Sequence, residues 1–150
     1  MKGINNNALV KCSKTIVIAA PSTKVWAVLT NINNWANWQT EISKPKLNGE
    51  LQPNTTFDWK TGGVKIHSTL HTVEPFSQFG WTGKTFGMLV IHNWKLTDVK
   101  GETSVLVDES LEGLLASLFK KSFLNKLEKS MQVWLNLLKK EYGKENSKTC

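Results

Sequence analysis

The alternation of apolar and polar positions divides the chain into three parts. Thr15-Ile16-Val17-Ile18 is a β-branched run and predicts a first strand. Ala20-Pro21-Ser22-Thr23 then opens a helix, because Pro is tolerated in a first turn and Ser or Thr can cap it. Val25, Trp26, Leu29 and Ile32 recur at helical spacing; Asn33-Asn34 breaks the pattern, and Trp35 and Trp38 fall on a second, short helical turn. From about Lys44 to Leu111 the pattern changes to strands joined by tight turns at Gly62-Gly63, Phe76-Ser77, Phe86-Gly87 and Lys100-Gly101. The third part, from about Leu114 to Tyr142, carries Leu124, Leu127, Met131, Trp134, Leu138 and Tyr142 at spacings of three and four, the stripe of one long amphipathic helix. This order predicts an α+β fold with an antiparallel sheet of about seven strands. Residues 1–13 are expected to form an N-terminal arm, 14–143 the domain and 144–150 a flexible tail.

The turns also predict a register, since facing residues in a two-residue hairpin are fixed by its centre. Gly62-Gly63 pairs Trp59 with Ile66 and Phe57 with Ser68; Phe76-Ser77 pairs Thr72 with Trp81 and Leu70 with Gly83. Phe86-Gly87 pairs Trp81 with His92; Lys100-Gly101 pairs His92 with Glu109, Trp94 with Val107 and Leu96 with Val105. Side chains alternate between faces, so one face collects Phe57, Trp59, Ser68, Leu70, Thr72, Phe79, Trp81, Val90, His92, Trp94 and Glu109. The other collects Asp58, Lys60, His67, His71, Lys84, Asn93, Lys95 and Asp108. The first face is the buried one. His92 and Glu109 fall opposite each other within it, as a mutually satisfied structural pair, a ligand-orienting pair or an acid–base pair.

Composition narrows the class. At 150 residues the chain is one domain that needs no disulfide or metal to hold a core. Seven Trp suggest a thick core or a lined pocket. Cys12 and Cys150 read as free thiols in a reducing compartment, although a bridge between them is possible on paper. The net charge of +7 raises the question of anionic partners. All nineteen basic residues are Lys, and Lys lacks the planar fork with which Arg reads guanine and phosphate. A specific nucleic-acid partner is therefore not expected. Lys120, Lys121, Lys126, Lys129, Lys139, Lys140, Lys144 and Lys148 gather on the last helix and tail, as a solvated helix face would. No apolar run suits a signal peptide or a membrane span, so a cytoplasmic location is expected.

Ile16-Val17-Ile18-Ala19-Ala20-Pro21, Val25-Trp26 and Leu29, then Trp35 and Trp38, resemble the opening of the polyketide cyclase/dehydrase-like branch of the START-like (SRPBCC) superfamily. Phe57-Asp58-Trp59, Val73-Glu74-Pro75, Trp81-Thr82-Gly83, His92-Asn93-Trp94 and Glu109-Ser110 with Gly113 continue the likeness, which runs from about Thr15 to Tyr142. Asn31 and Gln39-Thr40 depart from the pattern. The resemblance implies a helix-grip fold: a curved sheet wrapped around a long C-terminal helix, with a cavity between them for a hydrophobic molecule. Candidate ligand-binding residues are Phe57, Trp59, Ser68, Leu70, Thr72, Trp81, Val90, His92, Trp94 and Glu109 on the sheet, and Leu127, Met131 and Trp134 on the helix. It fixes no catalytic residues.

Phosphate-binding, dinucleotide-binding, zinc-protease and CxxC motifs are absent from the sequence. His67 and His71 share the outer face without a third ligand, and Asp58 faces His67 there as a solvated pair. No metal or cofactor is called for. The leading expectation is a protein that binds or carries a small hydrophobic molecule of lipid, polyketide or aromatic type. A cyclase, dehydratase or hydrolase using the same cavity, and an interaction module docking through the basic helix, are the alternatives. Oligomeric state is left open.

Overall fold

The computed structural model describes residues 1–146, with side chains to Tyr142. Seven strands form one antiparallel sheet: β1 (Val10–Ile18), β2 (Ile42–Leu47), β3 (Thr56–Thr61), β4 (Val64–Glu74), β5 (Gln78–Thr85), β6 (Met88–Val99) and β7 (Glu102–Glu112). Their spatial order is β1-β7-β6-β5-β4-β3-β2. After β1 come α1 (Ser22–Thr30) and a 3-10 helix (Ile32–Asn37); after β7 come α2 (Leu114–Leu118) and α3 (Lys120–Asn146). This is the α+β helix-grip arrangement that the sequence predicts.

Three of the four hairpin registers hold as read from sequence. Trp59 faces Ile66, Trp81 faces His92, and His92 faces Glu109. These hairpins turn through Gly62-Gly63, Phe86-Gly87 and Lys100-Gly101, each with positive φ at both central residues, the twist that two-residue hairpins favour. The β4–β5 connection differs. Glu74 faces Gln78, so the loop has three residues, with Phe76 in the left-handed region at φ 63°. A bulge between Leu70 and Thr72 then shifts the register again, placing Leu70 opposite Trp81 and Thr72 opposite Gly80. The two one-residue departures cancel in parity, so Leu70 and Trp81 stay on the inner face as predicted. Thr72, between them, is turned outward, where its hydroxyl meets His71 Nδ1 at 2.8 Å.

Three other boundaries move, and one helix finds its cap elsewhere in the chain. β1 begins at Val10 rather than Thr15, because Val10, Cys12 and Lys14 alternate inward against β7 even though Lys and Ser interrupt their apolar pattern. The α1 N-terminus is capped from outside: Asp98 of β6 accepts from the Ser22 amide at 3.0 Å and the Ser22 hydroxyl at 2.7 Å. The last helical segment breaks at Phe119 into α2 and α3. Leu118 and Leu127 are nine residues apart, about half a turn out of phase on a straight helix, and only Leu127 is buried. Finally, α3 continues to Asn146, so the predicted tail starts within it. Residues 147–150, with Lys148 and Cys150, lie outside the described residues, as does any bridge from Cys12 to Cys150.

The N-terminal arm crosses the outer face of the sheet. Asn93 Nδ2 donates to the Lys2 carbonyl at 2.9 Å, and the Asn5 amide donates to Ser110 Oγ at 3.0 Å. Asn93 and Ser110 are buried as a result. Gly80 makes room there, since a Cβ at this position would sit 2.6 Å from both Asn93 Oδ1 and the His71 ring. Burial, reinforced by the positive charges of Lys2 and the N-terminus, pulls the His71 imidazole down to about 4, while burial raises the Asp108 carboxyl nearby.

An acid sensitivity follows. The unfolded chain protonates His71 near its ordinary value of about 6.5, before the folded one does. Stability contributed by neutral His71 is therefore complete above about pH 6.5 and falls as pH drops towards 4. Urea midpoints between pH 7 and pH 4.5 should decline for the native chain and less for His71→Gln; equal declines would remove His71 as the cause.

Candidate ligand cavity

The concave face of the sheet has two unlike halves. In one, Trp35 from the 3-10 helix inserts against Phe57, Trp59, Trp81 and Trp134, with ring centroids 5.2–6.2 Å apart. Its indole N–H donates to the Leu29 carbonyl at 2.9 Å. Phe79, Trp94, Leu96, Val105 and Val107 from the sheet, and Leu135, Leu138 and Tyr142 from α3, complete this solid half.

The other half is open. A cavity of about 450 Å³ lies between β3–β7 and the first turns of α3. Its wall is mainly apolar, formed by Trp59, Ile66, Trp81, Met88, Val90 and Leu111 from the sheet and by Phe123, Leu127, Met131 and Trp134 from α3. Thr61, Thr85, Ser130, Lys126 and the pair His92–Glu109 supply its polar groups.

Of the thirteen residues singled out in the sequence, Trp59, Trp81, Val90, His92, Glu109, Leu127, Met131 and Trp134 line this cavity. Phe57, Leu70 and Trp94 face the same side of the sheet but belong to the solid half. Ser68 is buried, with its hydroxyl accepting from Trp59 Nε1 at 3.1 Å, so its role is to satisfy that indole. Thr72 faces outward for the reason given above. Ile66, Thr85, Met88 and Leu111, which the sequence register also places on the inner face, line it too, as does Gly83; sequence reasoning missed Thr61, Val64, Phe86, Leu115, Phe123, Lys126 and Ser130. Phe86 sits in a hairpin turn, and the others lie at strand ends or on the early helical turns, where alternation gives least guidance.

Paired positions across the strands put Leu70, Trp81, His92, Glu109 and Cys12 in one transverse row. The His92 ring stacks on Trp81, with centroids 4.2 Å apart and planes 13° from parallel. Its Nδ1 is hydrogen-bonded to Glu109 Oε2. His92 Nε2 is sealed and has no hydrogen-bond partner among the described residues. The side chain of His92 is 4% exposed, against 17% for Glu109. The carboxylate, rather than the free ring nitrogen, is thus the member of the pair more open to the cavity. An ionised Glu109 would keep the imidazole proton on Nδ1, and His92 would in turn fix the carboxylate's direction. Cys12, beyond Glu109 in the row, has its thiol pKa raised, chiefly by burial.

On the outer surface, Asp58 accepts from His67 Nδ1 at 2.8 Å. Hydrogen bonds from Asn48 and His67 hold the Asp58 carboxyl below its ordinary value. Among the described residues no cluster of His, Cys, Asp or Glu is arranged to hold a metal ion, and no helix is long and apolar enough to cross a membrane.

The model of the family described as polyketide cyclase / dehydrase and lipid transport matches residues 10–142. The chain belongs to that family. Solved structures share the START-like fold at low identity. A hypothetical protein from Helicobacter pylori is 19% identical, with a TM-score of 0.82 and coverage of 95% of this chain and 97% of that one. A START superfamily protein from Mycobacterium smegmatis is 12% identical, with a TM-score of 0.76 and coverage of 89% and 97%. The ZhuI aromatase/cyclase from a Streptomyces species is 15% identical, with a TM-score of 0.75 and coverage of 89% and 93%. No curated protein matches by sequence. In this member of the family, the cavity lies where the helix-grip architecture leaves the sheet uncovered by the aromatic half.

Proposed function

We propose that the chain binds a small hydrophobic molecule, of lipid, polyketide or aromatic type, in the cavity between the sheet and α3. The carrying observation is a roomy, mainly apolar enclosure with one fixed carboxylate open to it. Its volume is within the roughly 300–1,000 Å³ typical of small-molecule sites, where a few placed polar groups orient an apolar ligand. The aromatic and aliphatic wall supplies affinity, and Glu109, held by His92, supplies direction. Family membership supports the same reading.

A second reading has one specific observation behind it: a carboxylate–imidazole pair at the wall of an apolar cavity, in a chain that shares its fold with an aromatase/cyclase. In that case Glu109 exchanges a proton with the bound molecule.

Native mass spectrometry of the protein purified without refolding tests the first reading. A small molecule should be bound, and Val90→Trp, which extends an indole into the cavity, should carry none at a nearly unchanged melting temperature. Wild-type protein that holds no molecule and takes up no anilinonaphthalene sulfonate would overturn it. Glu109→Gln separates the two readings: an enzyme would still bind but lose turnover, whereas a binder has no turnover to lose.

A further inference from the structure

The cavity mouth carries an unusual apolar rim. Phe86 is 71% exposed, Leu114 74%, Leu118 67% and Phe119 58%. They come from the β5–β6 turn and from α2 with Phe119 at its end; turn and helix meet without a side chain between them, since a Cβ at Gly113 would lie 2.9 Å from the Gly87 carbonyl oxygen. Single exposed apolar side chains are ordinary, but large ones gathered on adjoining elements mark a contact surface. The rim is continuous with the interior, since Phe86, Leu115 and Phe123 also line the cavity. Exposed Lys84, Lys120 and Lys121 flank it. No acidic residue occurs between Gly113 and Leu127 or between Trp81 and Trp94.

We infer that this rim docks on an anionic lipid bilayer. Phe86, Leu114, Leu118 and Phe119 enter the boundary between headgroups and acyl chains, and Lys84, Lys120 and Lys121 meet the anionic headgroups. Charge favours this occupant over a second copy of the chain: two such rims face to face would oppose their lysines, and Lys is depleted from the cores of protein interfaces. Docking in this orientation turns the cavity mouth towards the acyl phase, so a hydrophobic molecule passes between bilayer and cavity without crossing water. The docking rests on the surface alone; the passage of a ligand rests also on the function proposed above.

The test is co-sedimentation with vesicles of phosphatidylcholine alone and of phosphatidylcholine mixed with phosphatidylglycerol. The native chain should bind the mixed vesicles, bind pure phosphatidylcholine far less, and be released by salt. Leu118→Ser with Phe119→Ser, which leaves every cavity-lining residue in place, should weaken binding roughly a hundredfold. Lys120→Gln with Lys121→Gln should weaken it and flatten its salt dependence. Absence of binding to the mixed vesicles at low salt would overturn the proposal, as would binding that survives the Leu118/Phe119 change. A dimer in solution that the same change dissociates, without vesicle binding, would assign the rim to a second copy instead. Cavity occupancy, read separately by native mass spectrometry, distinguishes failure of docking from failure of ligand binding.

Discussion

Trp35→Ala is expected to lower the free energy of unfolding by about 3–5 kcal/mol, the usual cost of truncating a large aromatic side chain in a core. Trp35 is fully buried. Its ring touches Phe57 and Trp59 on β3, Trp81 on β5 and Trp134 on α3. These neighbours are themselves wide rings on separate elements, so they cannot all move inward to fill the space, and the cavity part of the cost remains. The change also removes the indole that satisfies the Leu29 carbonyl. Urea unfolding measures the effect, with Val99→Ala on an exposed position as a control expected to stay within about 0.5 kcal/mol. A loss near the control value for Trp35→Ala would mean that this half of the molecule is not the rigid core described.

A chain ending before Leu124 is expected not to fold. The removed part of α3 buries Leu127, Met131, Trp134, Leu135 and Leu138 against the sheet. At about 1.5–3 kcal/mol for each buried side chain, this contribution is of order 10 kcal/mol, comparable to the whole stability of a typical domain at about 5–15 kcal/mol. The truncation also cuts the hydrogen bond from the Tyr142 hydroxyl to the Lys24 carbonyl, at 2.7 Å, which fastens the end of α3 to α1. The exposed inner face should drive aggregation. Gel filtration and near-UV circular dichroism give the outcome; a monomeric truncated chain with a cooperative melt would show that the sheet does not depend on α3.

Much of the sheet was legible because a two-residue turn fixes parity, and parity fixes faces. That is why His92 and Glu109 could be placed opposite each other without coordinates. Thr72 was misplaced because a three-residue loop and a bulge leave no mark in composition. Their parity changes cancel outside the short stretch between them, so the predicted face list stayed self-consistent and gave no warning. The candidate site was legible only in part. Phe57, Leu70 and Trp94 have the same inward parity as Trp59, Trp81 and Val90, and alternation reports which face a residue is on, not how far along the sheet the packing is solid. That division depends on where the Trp35 loop lands, a tertiary fact. The Asp98 cap and the arm over Asn93 escaped for the same reason, since both join residues more than seventy positions apart.

The contrast between the two halves of the concave face has a mechanical consequence. The aromatic half is cross-braced by rings from the sheet, the 3-10 helix and α3, whereas the cavity half is closed by α2 and the first turns of α3 across a space they do not fill. Local opening free energies follow packing. Amides around Trp35, Trp94 and Leu138 will exchange only when the whole domain unfolds, while those from Leu114 to about Phe123 will exchange through small excursions of the rim. The molecule is therefore a stiff frame with one compliant end, and material can enter or leave the cavity on the timescale of that end without loosening the frame.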